Sequence, residues 1–125
     1  MIRSIHRDTT VYVVDSNPSD YRHLVQDNDD PNTTFAFLSD ARSALRVNPS
    51  NSNAVWIINL DLPDMSGVDL LSMLRTRFPT SPVYLVGDDY HPEQERAARM
   101  SGASLYFCKP LQPEWLEHTY AEAVA

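Results

Sequence analysis

Ala54-Val55-Trp56-Ile57-Ile58-Asn59-Leu60-Asp61-Leu62-Pro63-Asp64-Met65-Ser66-Gly67 is the stretch on which the rest of the chain is organised. Its first part is apolar without alternation, the pattern of a strand covered on both faces in a parallel sheet. Its second part is turn chemistry: Asp61, Pro63, Asp64, Ser66 and Gly67 cluster there, and Leu62 is pushed toward extended geometry by the proline after it. A buried strand therefore ends, and a polar turn begins, at Asn59. In an open parallel sheet, ligands and chemistry gather at the carboxyl ends of strands. Asn59 stands at that place.

Working outward, Thr10 to Val14 is β-branched and aromatic and reads as a first strand. Asp15-Ser16-Asn17-Pro18 follows, with Asn17 as cap and Pro18 at a first helical position. Tyr21, Leu24 and Val25 give this helix its buried stripe. After a polar loop from Asp27 to Asn32, Thr33 to Leu38 forms a second strand. Ser39 or Asp40 caps a short helix with Ala41, Ala44, Leu45 and Val47 inward. A polar loop over Asn48–Asn53 leads into the opening strand. Ser66 begins a third helix, with Val68, Leu71, Leu74 and Phe78 on one face and Pro79 as its stop. Pro82 to Val86 is the fourth strand, and Gly87 to Tyr90 its exit loop. Pro92 opens a fourth helix that Gly102 ends as a C′ residue. Ser104 to Cys108 is the fifth strand, Lys109-Pro110 a turn. Pro113 starts a last helix with Leu116, Tyr120 and Val124 inward. Strands alternating with helices predict a doubly wound α/β fold with a parallel sheet, and right-handed crossovers place helices on both faces. The exits of strands one, three, four and five then bring Asp15, Ser16, Asn59, Gly87, Asp88 and Lys109 to one crevice.

The totals agree with one small domain over residues 1–125. A chain of 125 residues hides roughly two thirds of its unfolded surface, enough for stability without disulfides or metal. Ten basic against 17 acidic residues give a formal charge of -7, which argues against direct nucleic-acid binding. The single Cys108 has no partner, which points to a reducing compartment, and it reads as a buried strand residue rather than a reactive thiol. The polar segment from Met1 to Thr10 lacks the apolar core of a signal peptide. No apolar run approaches the ~20 residues that span a membrane. A cytoplasmic, soluble protein is expected. His6, His23, His91 and His118 show no metal-ligand spacing.

With these elements in place, the chain resembles the receiver domains of response regulators in two-component phosphorelays, from about Thr10 to Tyr120. The resemblance rests on Val13-Val14-Asp15, Leu62-Pro63-Asp64-Met65-Ser66-Gly67, Pro82-Val83, Ser101-Gly102-Ala103 and Lys109-Pro110. It implies a flavodoxin-like (βα)5 fold with strand order 2-1-3-4-5. It implies a phosphoacceptor aspartate after strand three, two acids after strand one that help hold Mg²⁺, and a Ser/Thr and a Lys that contact the phosphoryl group. Four residues before Pro63 and eight before Gly67, the acceptor position holds Asn59. The first acidic position is Asp15, the second Ser16; the Ser/Thr position is Gly87. Lys109 is kept, Tyr106 stands at the switch-aromatic position, and Lys109-Pro110 is a candidate cis peptide.

A neutral amide is a poor nucleophile toward a phosphoryl group, and the loss of two acids leaves Mg²⁺ weak binding at best. The expectation is a pseudo-receiver: no enzyme, no required cofactor, and a protein partner. That partner is a histidine kinase, another signalling protein, or a second copy docking on the fourth-helix/fifth-strand/fifth-helix face near Tyr106, Arg99 and Trp115. Trp115 serves equally well as a rim residue over the core. The domain stands alone or belongs to a longer regulator. The alternative is a phosphorylatable receiver that uses Asp61 or another nearby carboxylate. Asp15, Asp61 and Asp88 form either a cation site or, as preferred here, a solvated acidic rim. For Lys109 an ion pair with Asp15 is preferred over anion binding. A flavin binder is disfavoured, since Gly67, Gly87 and Gly102 are the only glycines and make no phosphate loop.

Overall fold

The computed structural model describes residues 8–48 and 53–111. Five parallel strands form one sheet in the order β2-β1-β3-β4-β5. They are β1 (Thr9–Val14), β2 (Thr33–Leu38), β3 (Asn53–Asn59), β4 (Val83–Gly87) and β5 (Leu105–Cys108). The helices are α1 (Arg22–Gln26), α2 (Ala41–Leu45), α3 (Gly67–Leu74) and α4 (Pro92–Met100). This is the doubly wound, flavodoxin-like arrangement expected. The last helix expected from Pro113, with Trp115, Leu116, Tyr120 and Val124, lies outside the described residues, as do His6 and His118.

The apolar run of β3 is explained by the two layers that enclose it. Successive strand side chains point to opposite faces. Val55 and Ile57 join Val11, Val13, Tyr84, Val86 and Tyr21 on one side. Trp56 and Ile58 join Val14, Val83, Leu85, Ala41, Ala44, Leu70, Leu71 and Leu74 on the other. Trp56 is the largest fully buried side chain among the described residues, stacked on Tyr12 with ring centroids 4.6 Å apart and edge-on to Phe78 at 5.2 Å.

Local chemistry sets the helix ends. The Asp40 carboxylate accepts from the Ser43 N–H at 2.8 Å, so Asp40, not Ser39, caps α2. Ser66 caps α3, its hydroxyl accepting from the Asp69 N–H at 3.1 Å. Gly102 follows α4 with φ 94°, the left-handed geometry of a C′ glycine.

Other expectations are corrected. Pro18 starts a single 3-10 turn, Pro18–Tyr21, before α1, and the Asn17 side chain makes no capping bond. The backbone N–H of Asn17 instead donates to Asp15 Oδ1 at 2.9 Å, tying the loop back to the strand end. Val25 is exposed: Tyr21 sits in the 3-10 turn and not in α1, so the two do not share one α-helical stripe. α3 ends at Leu74, well before Pro79. Non-helical turns bonded back to Leu74 then return Phe78 to the core. Gly87 is the last residue of β4, paired with Cys108, rather than the start of a loop. Cys108 is half-buried, because β5 is an edge strand.

Candidate functional site

Strand register builds the crevice. Val14 of β1 lies opposite Ile58 of β3, so Asp15 comes level with Asn59. Asn59 lies opposite Val86, and Gly87 opposite Cys108, so Asp88 and Lys109 leave the sheet together. Four chain segments thus converge at the carboxyl edge of the sheet.

Asn59 is 1 % exposed, and both polar atoms of its side chain are hydrogen-bonded. Its Nδ2 donates to Asp15 Oδ2 at 3.0 Å and to Asp88 Oδ1 at 2.9 Å. Its Oδ1 accepts from the Asp61 backbone N–H at 2.6 Å. The amide is therefore oriented: its nitrogen faces two carboxylates and its oxygen faces an N–H donor.

Asp15 is 2 % exposed and accepts on both oxygens. Beside the Asn17 N–H on Oδ1, its Oδ2 receives the Tyr21 hydroxyl at 2.7 Å, the Asn59 amide and the Lys109 ammonium at 2.8 Å. Burial alone would raise this carboxyl's pKa; donation from Lys109, Tyr21, the Asn17 N–H and Asn59 outweighs it and holds the group below the usual carboxylate value. The Tyr21 phenol is pushed upward, by burial first and by the neighbouring Asp15 next.

Lys109 Nζ sits among three carboxylates: Asp20 at 2.7 Å, Asp15 at 2.8 Å and Asp88 at 2.9 Å. It also lies 5.6 Å from the centroid of the Tyr21 ring, over its face. Burial would lower its pKa, but bonding to the three acids raises it. The Lys109–Pro110 peptide is cis.

The residues singled out from the sequence divide clearly. Asn59, Asp15 and Lys109 come together as one network, including the expected Lys109–Asp15 pair. Ser16 is exposed beside it. The acidic rim is corrected: Asp15 is buried, not solvated, and Asp61 stands apart. Asp61 is exposed and touches the network through its backbone, and its carboxylate bonds to no other group among the described residues. Asp20 takes the third place around Lys109 instead. Its role was missed, although an acid in the turn that Pro18 opens after Asp15 is a local signal for it. Gly87 is buried against Tyr106, whose hydroxyl is buried as well. Arg99, expected on a partner face, is exposed and paired to Glu95 at 2.7 Å. Asp64 was also missed as a structural residue: its two carboxylate oxygens accept from the Ala41 and Arg42 N–H groups, each at 2.9 Å, and so hold the start of α2.

The site sets an aspartate, an asparagine and a lysine at the carboxyl ends of β1, β3 and β5 of a doubly wound parallel sheet. The family description "Response regulator receiver domain" matches residues 11–121, and the chain belongs to that family. It is thus a receiver domain of two-component signal transduction. It is 31 % identical over 116 residues to the probable transcriptional regulatory protein TcrX of Mycobacterium tuberculosis, covering 91 % of this chain and 49 % of that protein. It is 31 % identical over 78 residues to the response regulator protein FleR of Pseudomonas aeruginosa, covering 62 % of this chain and 16 % of that one. The chain thus spans half or less of the length of these relatives. Among solved structures, a CheY-like receiver domain protein from Methanospirillum hungatei aligns with a TM-score of 0.78 at 20 % identity, covering 93 % of each chain. The chemotaxis response regulator CheY4 of Vibrio cholerae aligns at 0.75 and 22 %, covering 92 % of this chain and 98 % of that one. These likenesses show the fold. Among the described residues, no helix is long and apolar enough to cross a membrane.

The family implies Mg²⁺, and the donor set here does not fit it. Asp15 Oδ2 already takes three donors, Asp20 and Asp88 point at Lys109, and position 16 is a neutral serine. The ammonium supplies positive charge where a dication would have to enter and shed water.

Proposed function

We propose that this receiver domain works by protein contact, without phosphorylation of its acceptor position. One observation carries the reading: at the end of β3 the side chain is the Asn59 amide, held by Asp15, Asp88 and the Asp61 N–H. A carboxamide offers no anionic oxygen to attack phosphorus. Its nitrogen lone pair is delocalised and both of its N–H bonds are committed to carboxylates. Lys109, the group that would otherwise meet a phosphoryl oxygen, is neutralised by three acids. One ammonium against three carboxylates leaves the crevice net negative, which disfavours entry of a phosphoryl anion.

On this reading the domain is a cytoplasmic, non-enzymatic module. Its partner is a histidine kinase, another signalling protein or a second copy, docking near α4 and β5. The second reading keeps phosphorylation and moves it to Asp61, favoured by the exposed carboxylate of that residue beside Asn59.

Incubation with Mg²⁺ and acetyl phosphate, followed by intact-mass measurement, separates the two. The expected result is an unchanged mass. A gain of one phosphoryl group that persists in Asn59→Ala and vanishes in Asp61→Ala overturns the proposal in favour of the second reading.

A further inference from the structure

Between α2 and α3 runs a groove whose charge is opposite to that of the chain as a whole. The two helices lie side by side on the face that buries Ala41, Ala44, Leu70, Leu71 and Leu74. Each follows a strand of the parallel sheet, so they run in the same direction. Arg75 shows which flank is which. It follows the buried Leu74, and its guanidinium reaches the Gly102 carbonyl oxygen, on the side of α4 and β5. A residue one step, ~100°, past an inward one therefore lies on the flank toward the next helix. Arg42 and Arg46 follow Ala41 and Leu45 by that step, so they stand on the flank of α2 that faces α3. From the other wall, Arg77 donates through Nη1 to the Leu45 carbonyl oxygen. Met73 lies one turn before Arg77, on the same flank of α3, and is 49 % exposed.

Arg42, Arg46 and Arg77 make no ion pair among the described residues. This contrasts with Lys109, which has three carboxylates, and with Arg99, which is paired to Glu95. The Asp40 carboxyl is held low by its bonds to Ser43 first, and only then by the more distant Arg42 and Arg46. Arg77 rests on a backbone carbonyl, which orients the guanidinium without neutralising it. Asp40 and Asp69 stand at the amino ends of the two helices, so the carboxyl-terminal half of the groove is cationic. Guanidinium groups bind carboxylates as planar forks. In a chain of formal charge -7, three such groups around an exposed thioether are the complement of an acidic, partly apolar ligand.

We infer that the α2–α3 groove docks an acidic segment of a partner protein, with its carboxylates on Arg42, Arg46 and Arg77 and an apolar side chain on Met73. A peptide segment fits better than nucleic acid or an anionic membrane. The acidic total repels an extended polyanion, whereas a short segment meets only the groove. The surface is separate from the α4–β5 side and does not depend on what position 59 can accept.

The probe is a short acetylated and amidated peptide in which pairs of Glu alternate with single Leu, titrated into the full chain labelled with ¹⁵N and with ¹³C at the Met methyls. The expected result is saturable binding that weakens with salt, with the Met73 methyl and the Arg77 Nε–H moving most. Arg42→Gln combined with Arg46→Gln should weaken it about tenfold. Arg22→Gln combined with Arg96→Gln makes the same change in net charge at exposed sites on α1 and α4, and should weaken it no more than about twofold. Met73→Ser keeps every charge and should weaken binding about threefold, which keeps the groove testable even where the arginine variant does not fold. No saturable shift at millimolar peptide, equal losses in the two arginine pairs, or unchanged affinity in Met73→Ser overturns the proposal. So does tighter binding of oligothymidylate or of phosphatidylserine vesicles through the same arginines.

Discussion

Lys109 and Asp15 meet at 2.8 Å where β5 and β1 leave the sheet, and the aspartate is 2 % exposed. The pair is not isolated: Asp20 and Asp88 share the ammonium, and Tyr21 and Asn59 share the carboxylate. A buried charge deprived of its partner costs far more than the intact pair contributes. Lys109→Met keeps much of the stem's packing and removes only the charge. It leaves Asp15 with three neutral donors and brings Asp20 and Asp88 together without a counterion. The expected loss is about 3 kcal/mol in urea unfolding, with the loss largely recovered when Asp15→Asn is added. Two additive losses would mean the residues do not act as a pair.

Asn59→Asp reverses the donor pattern at the centre of the crevice. Two N–H bonds to Asp15 and Asp88 become contacts between carboxylates, shared by one ammonium. The variant should lose about 2 kcal/mol in metal-free buffer. It should also gain a pronounced stabilisation by millimolar Mg²⁺ that the parent lacks, because the added anionic oxygen gives a hard cation a reason to enter. Thermal unfolding in EDTA and in Mg²⁺ reads both effects. A parent protein stabilised by Mg²⁺ as much as the variant would contradict the misfit of the present donor set.

The same network sets the pH range of stability. Asp15 has its folded pKa below its unfolded value, so its contribution is fully present above about pH 4 to 5 and is lost as pH falls through the folded pKa. Lys109 has its folded pKa raised, so its contribution is present below about pH 10 and is lost as pH rises through the folded pKa. Stability should form a plateau between these limits. In Asp15→Asn, urea midpoints should fall less steeply below pH 4 than in the parent, by about one proton's worth of slope. Parallel acid limbs in the two proteins would remove Asp15 from the explanation.

Much of this site was legible before any coordinates. The uninterrupted apolar run of β3 demanded two covering layers, and the turn residues from Asp61 to Gly67 put its end at Asn59. Lys109 and Asp15 followed from the other strand exits. What escaped were partners that only the folded chain brings together. Asp64 lies 23 residues from Ala41, whose N–H it accepts. Asp20 joins Lys109 from 89 residues away. Local rules also lost where the site competed with them. Asn17 is a good capping residue, yet its backbone is held by the Asp15 carboxylate and its side chain caps nothing. Val25 has the right spacing for the core, but Tyr21 sits in a 3-10 turn before α1, and the two do not share one stripe.

Asp64 gives a prediction of its own. Two N–H groups at the start of α2 have no helical acceptor, and its carboxylate takes both at 2.9 Å. Asp40 holds the third, at Ser43. Asp64→Ala should cost about 1 to 2 kcal/mol. Amide exchange should accelerate at Ala41 and Arg42 while the Ser43 amide stays protected. Uniform acceleration across α2 would show that the cap acts on the whole helix and not on these two groups.

Gly67 determines how closely the loop after β3 returns to the strand end. Its N–H donates to the Leu60 carbonyl at 2.9 Å, and Asp61 and Ser66 face each other across the turn so formed. A Cβ at position 67 would lie 2.4 Å from the Asn59 carbonyl oxygen and 3.0 Å from the Leu60 Cα. Both obstacles are backbone, so no side-chain rotation relieves them. Gly67→Ala must push α3 and its loop away from Asn59, at a cost of about 3 kcal/mol. The displacement should also weaken the bond from the Asp61 N–H to Asn59 Oδ1, which holds the amide in its present orientation. In ¹⁵N spectra of Gly67→Ala, the Asn59 side-chain amide and the Asp61 backbone amide should both move strongly. A destabilised variant with those two signals in place would separate the packing role of Gly67 from any hold on Asn59.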